Sequence, residues 1–426
     1  MSGTRAKFRY SCWDFFFTFA GLPLFLLDIV LDVLAAVSFY QEKAFVYLGV
    51  LLLFLVGSSL LAQAYSWLWY SYDNFEMNTK IEKLPSRGLL RLLHVSQLGI
   101  YFRHAGVLEM AVQSLRRKKR TSRENGVGAS CEHGARPDSE GLAVSLSHDL
   151  SMLRIIEAFS ESAPQLTLML TIFLQRGQLD PVTVLKAVGS ASAIAFTMTT
   201  YHRSLRSFLP EKKKQKIASS AVYFSWNLLL ISSRLAALAL FASVLPCFIF
   251  THFICSWLVL FFFAWRSKTD FMDGPGGEWL YRATVGLIWY FDWFNVVEGN
   301  TRNRTVLYHG YILTDISVLC GVWCWKMSTD PPEFVIQPLY ALITVVCVVG
   351  VYILGLLIKV IYYKCFHPNL DKDELRGQPE DEVDFRTFRP PTEASAHCNK
   401  RMRKMAVNFY CQPASFEIHE AGDRVM

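Results

Sequence analysis

Apolar runs long enough to cross a bilayer recur along this chain, and the run at 149–176 carries charge through its first half. About 20 apolar residues suffice for a spanning helix. Within this run Arg154, Glu157, Glu161 and Gln165 are spaced by three, four and four residues, which aligns them on one helical face. Pro164 interrupts the stripe. Charge at membrane depth is costly, so such residues face a protein interior, a partner or a wet cavity.

Further runs lie at 15–40, 44–70, 182–201, 218–245, 248–265, 306–325 and 334–362. Two shorter or more polar segments, 89–103 and 278–297, read as embedded without crossing. Counted this way, the chain is an all-α polytopic membrane protein. It has eight transmembrane helices plus two partly inserted, re-entrant segments in two pseudo-symmetric repeats, each with the order two spans, one embedded segment, two spans. If 278–297 also crossed, the tail would lie outside. The expected division is 1–202 for the first repeat, 203–366 for the second and 367–426 for a cytoplasmic regulatory tail, with 104–148 a basic cytoplasmic loop without periodicity. In this topology Asn303, in the sequon Asn303-Arg304-Thr305, faces the cytosol and stays bare.

Composition bears on what such a chain meets. Of 426 residues 52% are apolar, and the mean hydropathy is +0.25, too apolar for a soluble domain of this size. The net charge of +7 would suit a nucleic-acid surface. Its cations cluster instead at 116–120, at 203–216 and in the tail, between apolar runs, as cytoplasmic loops require. No nucleic-acid partner is expected. Arg5, Lys7 and Arg9 hold the N-terminus inside, and the first run is too long for the core of a cleavable signal. The ten cysteines include no Cys-x-x-Cys pair, so neither a zinc site nor a disulfide framework is expected; a bridge between Cys247 and Cys324 stays open.

There is no phosphate-binding loop, zinc-protease motif or nucleophile elbow, so neither an enzyme nor an ATP-driven pump is expected, and no cofactor or metal. The informative residues are the charges inside apolar runs: Asp14, Asp28, Asp32, Arg103, Arg154, Glu157, Glu161, Arg234 and Asp315. Asp14, Asp28 and Asp32 fall within about 40° of one another around the first helix, making a second acidic stripe. His252 reads as an isolated packed side chain. The acids outnumber the bases six to three, so pairing alone does not neutralise them. A path for ions, polar solutes or lipid headgroups and a purely structural role, as in a membrane scaffold or subunit, both fit.

The tail carries Asp381-Glu382-Val383-Asp384, followed by Phe385, a sequence of the kind executioner caspases cut. Cleavage after Asp384 would release a basic amphipathic stretch at 399–410, a candidate plug for an acidic cavity.

These features resemble the XK-related membrane proteins, and among them the caspase-activated phospholipid scramblases. The likeness covers roughly 12–366. It rests on Leu27-Asp28 with Asp32, Gln97-Leu98-Gly99 before Arg103, Asp149 through Arg154 and Glu161 to Pro164-Gln165-Leu166, Tyr201-His202-Arg203, Glu278-Trp279-Leu280-Tyr281-Arg282, Trp293-Phe294-Asn295-Val296 and His367-Pro368. The resemblance implies a passive plasma-membrane scramblase with both termini cytoplasmic, which exposes phosphatidylserine in dying cells once its tail is cut. It also implies that Asp28, Asp32, Arg103, Asp149, Glu157, Glu161, Arg203, Arg234 and Asp315 line a charged interior track. Partners would be membrane phospholipids including phosphatidylserine, an executioner caspase and, as for some relatives, a single-span immunoglobulin-like glycoprotein. Thr200 stands where relatives carry Asp, leaving the track one charge short.

Overall fold

The computed structural model describes residues 12–75, 77, 79–124, 139–177, 181–208, 215–267, 269–296, 302–329 and 337–367. Among these the fold is all helical. Long apolar runs in hydrocarbon must satisfy their backbone amides internally, which helices do within one segment.

The first half contains α1 (Cys12–Gln41), α2 (Phe45–Tyr72), α3 (Arg87–Val95), α4 (Gly99–Glu124), α5 (Ser139–Glu157), α6 (Ala163–Arg176) and α7 (Pro181–Phe208). The second half contains α8 (Ile217–Val244), α9 (Phe248–Arg266), α10 (Pro275–Phe291), α11 (Arg302–Thr329) and α12 (Pro338–Ile361). Six helices, α1, α2, α8, α9, α11 and α12, are long and apolar enough to cross a membrane. The chain is therefore a multi-pass helical membrane protein.

Helix α8 is the mast of the molecule. In its most apolar stretch 72% of residues are buried, against 12% to 33% in the other five. It packs on α6, α7, α11 and α12. Helix α12 reaches it closely because Gly355 has no side chain: a Cβ there would lie 2.8 Å from Leu230 Cδ2. The outward faces of α1, α2, α9 and α12 are rows of exposed Leu, Val, Ile and Phe, as expected where the solvent is lipid.

The run at 149–176 is one rod of two helices joined through a π turn, Ala158–Ser162. Pro164 has no N–H to give the preceding turn. The wider turn absorbs this, with the Ala163 amide donating to Ala158 O. Ser160 turns its hydroxyl back to Ile156 O at 2.7 Å.

Two expectations need correction. The 104–148 segment is not an aperiodic loop, because α4 runs into it to Glu124 and α5 begins in it at Ser139. Val107, Met110 and Ala111 pack against Ala143, Val144 and Leu150, and that i, i+3, i+4 contact sustains both helices. Nor is 89–103 a single segment. The chain breaks at Ser96-Gln97-Leu98, where Gln97 has φ 64, and α3 and α4 form a hairpin. Gln63 on α2 holds its tip by donating to Gln97 O at 3.0 Å. The 278–297 segment is helical only to Phe291. Cys247 and Cys324 are both free thiols.

Candidate functional site

The acidic stripe of α1 meets the stripe of the α5–α6 rod. Asp28 Oδ2 accepts from Ser162 Oγ at 3.0 Å. Asp32 is buried and borders Glu161 and Gln165. Glu161 has Glu157, Asp32 and Asp28 as charged neighbours. Arg154 Nη1 donates to Glu157 Oε2 at 2.7 Å, and its charge also acts on Asp28. Four carboxyl groups thus cluster together, two of them, Glu157 and Asp28, within the influence of Arg154. Hydroxyls also line the cluster: Ser160 Oγ, whose hydrogen goes to Ile156 O, lies 2.8 Å from Ser58 Oγ of α2. Tyr101 of α4, on the hairpin, lies within electrostatic reach of Glu157 and Glu161. Asp14 lies on α1, but its side chain is outside the described residues.

Towards one end of the bundle, Arg103 of α4 is buried against the face of Tyr70, 3.9 Å from the ring centre. It donates through Nε to Ser66 Oγ at 2.8 Å and through Nη2 to Ser66 O at 3.0 Å, and lies 3.9 Å from Asp149. Arg203 of α7 donates to Gln215 O at 3.1 Å and Ser220 Oγ at 2.7 Å, with its guanidinium 4.5 Å from the Phe17 ring centre. Thr200, one turn earlier, bonds its own helix at Phe196 O.

The second half handles its charges differently. Arg234, fully buried on α8, donates to Asp315 Oδ2 of α11 at 2.5 Å and to Tyr290 O at 3.0 Å. The other oxygen of Asp315 is 3.0 Å from His252 Nε2, and His252 Nδ1 is 2.9 Å from the Tyr290 hydroxyl. His252 is therefore not isolated; it closes a four-residue network. Arg234 and Asp315 lie on α8 and α11, and the described contacts couple them to each other and not to the acidic cluster.

A second buried pair escaped sequence reasoning. Lys359 of α12 has its Nζ 2.7 Å from His309 Nε2 and lies over the Trp226 ring. The ammonium can only donate, so His309 carries its hydrogen on Nδ1 and gives it to the Tyr352 hydroxyl at 2.9 Å. Asp292, just past α10, is the carboxylate that answers Lys359. Lys359 stands near the end of an apolar run, where a lysine ordinarily reaches out to water; its spacing gave no sign of burial. Asp381, Glu382, Val383, Asp384 and Phe385 lie outside the described residues.

Comparison with known proteins agrees with this architecture. The family described as XK-related protein matches residues 16–368. A Tetraodon nigroviridis protein named XK-related protein 8 is 42% identical over 95% of this chain and 97% of its own length. Its namesake from Gasterosteus aculeatus is 41% identical over 94% and 98%, and that from Pan troglodytes 35% identical over 92% of each chain.

Proposed function

The chain belongs to the XK-related family, and from that premise we propose that it is a passive phospholipid scramblase of the plasma membrane, switched on in apoptosis by caspase cleavage after Asp384. The observation that carries the reading is the excess of buried carboxyl groups between α1 and the α5–α6 rod. Asp28, Asp32, Glu157 and Glu161 cluster with Arg154 paired to Glu157 and acting on Asp28, and Ser58, Ser162 and Gln165 join the lining. Zwitterionic and amino headgroups carry ammonium and phosphate together. A track with carboxyl groups, hydroxyls and a few cations offers partners to both while the acyl chains stay in lipid.

The membrane arrangement in this reading is eight crossings with two embedded elements, the α3–α4 hairpin and α10. Helix α10 is 17 residues long, about 25 Å, short of a hydrocarbon core of about 30 Å. Both termini are then cytoplasmic, Asn303 is unglycosylated, and a glycan on Asn303 would refute the topology. The tail leaves from His367, where His367 Nε2 is 3.5 Å from Arg206 Nη1 of α7. A bound tail would thereby restrain the end of the charged helices.

The test is reconstitution in liposomes of the full chain and of the chain cut after Asp384. The cut chain should flip fluorescent phosphatidylserine and phosphatidylcholine in both directions without ATP, and the full chain should be slow. Asp384→Ala should stay slow after caspase treatment. Ion conductance without lipid flipping would point to a channel, and neither activity would leave a scaffold.

A further inference from the structure

The approach to α3 has a chemistry that the track does not use. Between Thr79 and Arg91 the chain carries Lys80, Lys83, Arg87 and Arg91, all exposed. The single acid in that interval, Glu82, is buried: its carboxylate accepts from Tyr70 Oη at 2.9 Å and Thr79 Oγ1 at 3.1 Å. The outward-facing charged side chains of the interval itself are therefore all cations, and a carboxylate set against the segment, that of Glu109 of α4, accepts from Ile81 N at 3.0 Å. Leu84, Leu89, Leu92, Val95 and Leu98, in the same segment, are 47% to 77% exposed.

Depth separates Lys80, Lys83 and Arg87 from Leu92, Val95 and Leu98. Leu90 and His94 face inward, His94 against Ser66 of α2 at 3.0 Å. The hairpin tip is held at Gln63, nine residues before the end of α2 at Tyr72, or about 13 Å along the helix. Arg87 opens α3 at the α2 end, its guanidinium 5.1 Å from the ring centre of Phe75, just beyond α2. Leu92, Val95 and Leu98 lie towards the tip. Lys80, Lys83 and Arg87 thus sit at the level of the chain's turn out of α2, with Leu84 beside them, while Arg91 lies one turn further along α3 and the exposed Leu92, Val95 and Leu98 reach inwards from it. Cations at the mouth and aliphatic groups below them match a lipid with an anionic headgroup over acyl chains.

We propose that this entry, with Lys80, Lys83, Arg87 and Arg91 around the headgroup and the outer face of α3 along the acyl chains, is a binding site for anionic phospholipid of the leaflet it enters. It rests on the inward orientation proposed above, because the cytoplasmic leaflet is the anionic one. Tyr101, at the start of α4 beyond the hairpin tip, lies within electrostatic reach of Glu157 and Glu161. A lipid held at α3 is thereby delivered beside the acidic cluster, and the site loads serine-type headgroups ahead of neutral ones.

The experiment reads binding and not flipping, so its outcome is independent of whether the protein scrambles. The purified full-length chain is placed in phosphatidylcholine vesicles with trace spin-labelled phosphatidylserine or phosphatidylcholine, and the immobilised fraction of each gives a selectivity ratio. The native chain should favour phosphatidylserine several-fold at low salt, less at high salt. Lys80→Gln/Lys83→Gln/Arg87→Gln/Arg91→Gln should bring the ratio to unity, and Lys80→Arg/Lys83→Arg/Arg87→Lys/Arg91→Lys should keep it. The milder Lys80→Gln/Lys83→Gln pair, outside α3, should lower it partway, which guards against a misfolded quadruple variant. An unchanged ratio in both glutamine variants overturns the site. So does loss of the ratio only when the basic run at 116–120 is neutralised.

Discussion

In the half of the molecule that ends with α7, Arg154 pairs with Glu157 and acts on Asp28, while Asp32 and Glu161 have one another, Gln165 and Ser58 as neighbours; in the half that begins with α8, Asp315 is met by Arg234 and His252, and Asp292 lies in the field of Lys359. Both sets are buried in apolar helices, so both cost desolvation. In the second half the cost is offset locally by opposite charge and by hydrogen bonds to fixed partners such as Tyr290 O. In the first half most of the carboxyl groups have hydroxyls and one another. Joined as they are, Arg234 and Asp315 hold two helices together, although Arg234 Nη2 and Asp292 Oδ2 remain without hydrogen-bond partners among the described residues. An unmatched cluster stabilises the fold poorly and keeps its bonding capacity for a ligand. In the proposed reading the two halves divide the labour: α8–α12 anchor, and α1 with α5–α6 forms the headgroup track.

The comparison is tested most severely at Asp315. Asp315→Asn leaves Arg234 charged, fully buried and without its carboxylate, and should lower stability by about 3–5 kcal/mol, read as thermal unfolding of the purified protein. The double change Arg234→Met/Asp315→Leu removes both charges and should recover most of that loss. Next in size is Gly355→Leu, which forces α12 off Leu230 of α8 and should cost about 1–3 kcal/mol in the same assay. Asp32→Asn should do the opposite of Asp315→Asn. It removes one of several mutually repelling carboxyl groups, so stability should hold or rise by about 1 kcal/mol. The smallest effect is expected at the other end of the rod. Arg176 of α6 hydrogen-bonds Glu42 in the α1–α2 turn and holds its carboxyl below the usual range. A depressed pKa stabilises above the unfolded value of 4.5 and is lost as pH falls through the folded one. The pair is exposed, so Glu42→Gln should cost about 0.5 kcal/mol or less at neutral pH and nothing in acid.

Much of this was legible in the residues. The Arg154–Glu157–Glu161–Gln165 stripe follows from spacing alone; its apposition to the second acidic stripe comes only from the family resemblance, because spacing says which face is polar and not which helix it meets. The α4 and α5 extensions were not legible. Val107, Met110 and Ala111 are diluted by cations downstream, and their helical period emerges only against Ala143 and Val144. His252 and Lys359 were missed for a different reason. A histidine in an apolar run and a lysine at the end of one both have ordinary uses, and only the tertiary partners Asp315 and Asp292 turn them into buried network members.

The division between an anchoring half and a conducting half is tested most directly by flipping of labelled phosphatidylserine in liposomes, using the chain cut after Asp384 and carrying Asp32→Asn/Glu161→Gln. The account predicts a rate at least about tenfold lower than that of the cut native chain, equivalent to about 1.4 kcal/mol of barrier, with the unfolding temperature unchanged or raised. Flipping at the full native rate in that variant would contradict it.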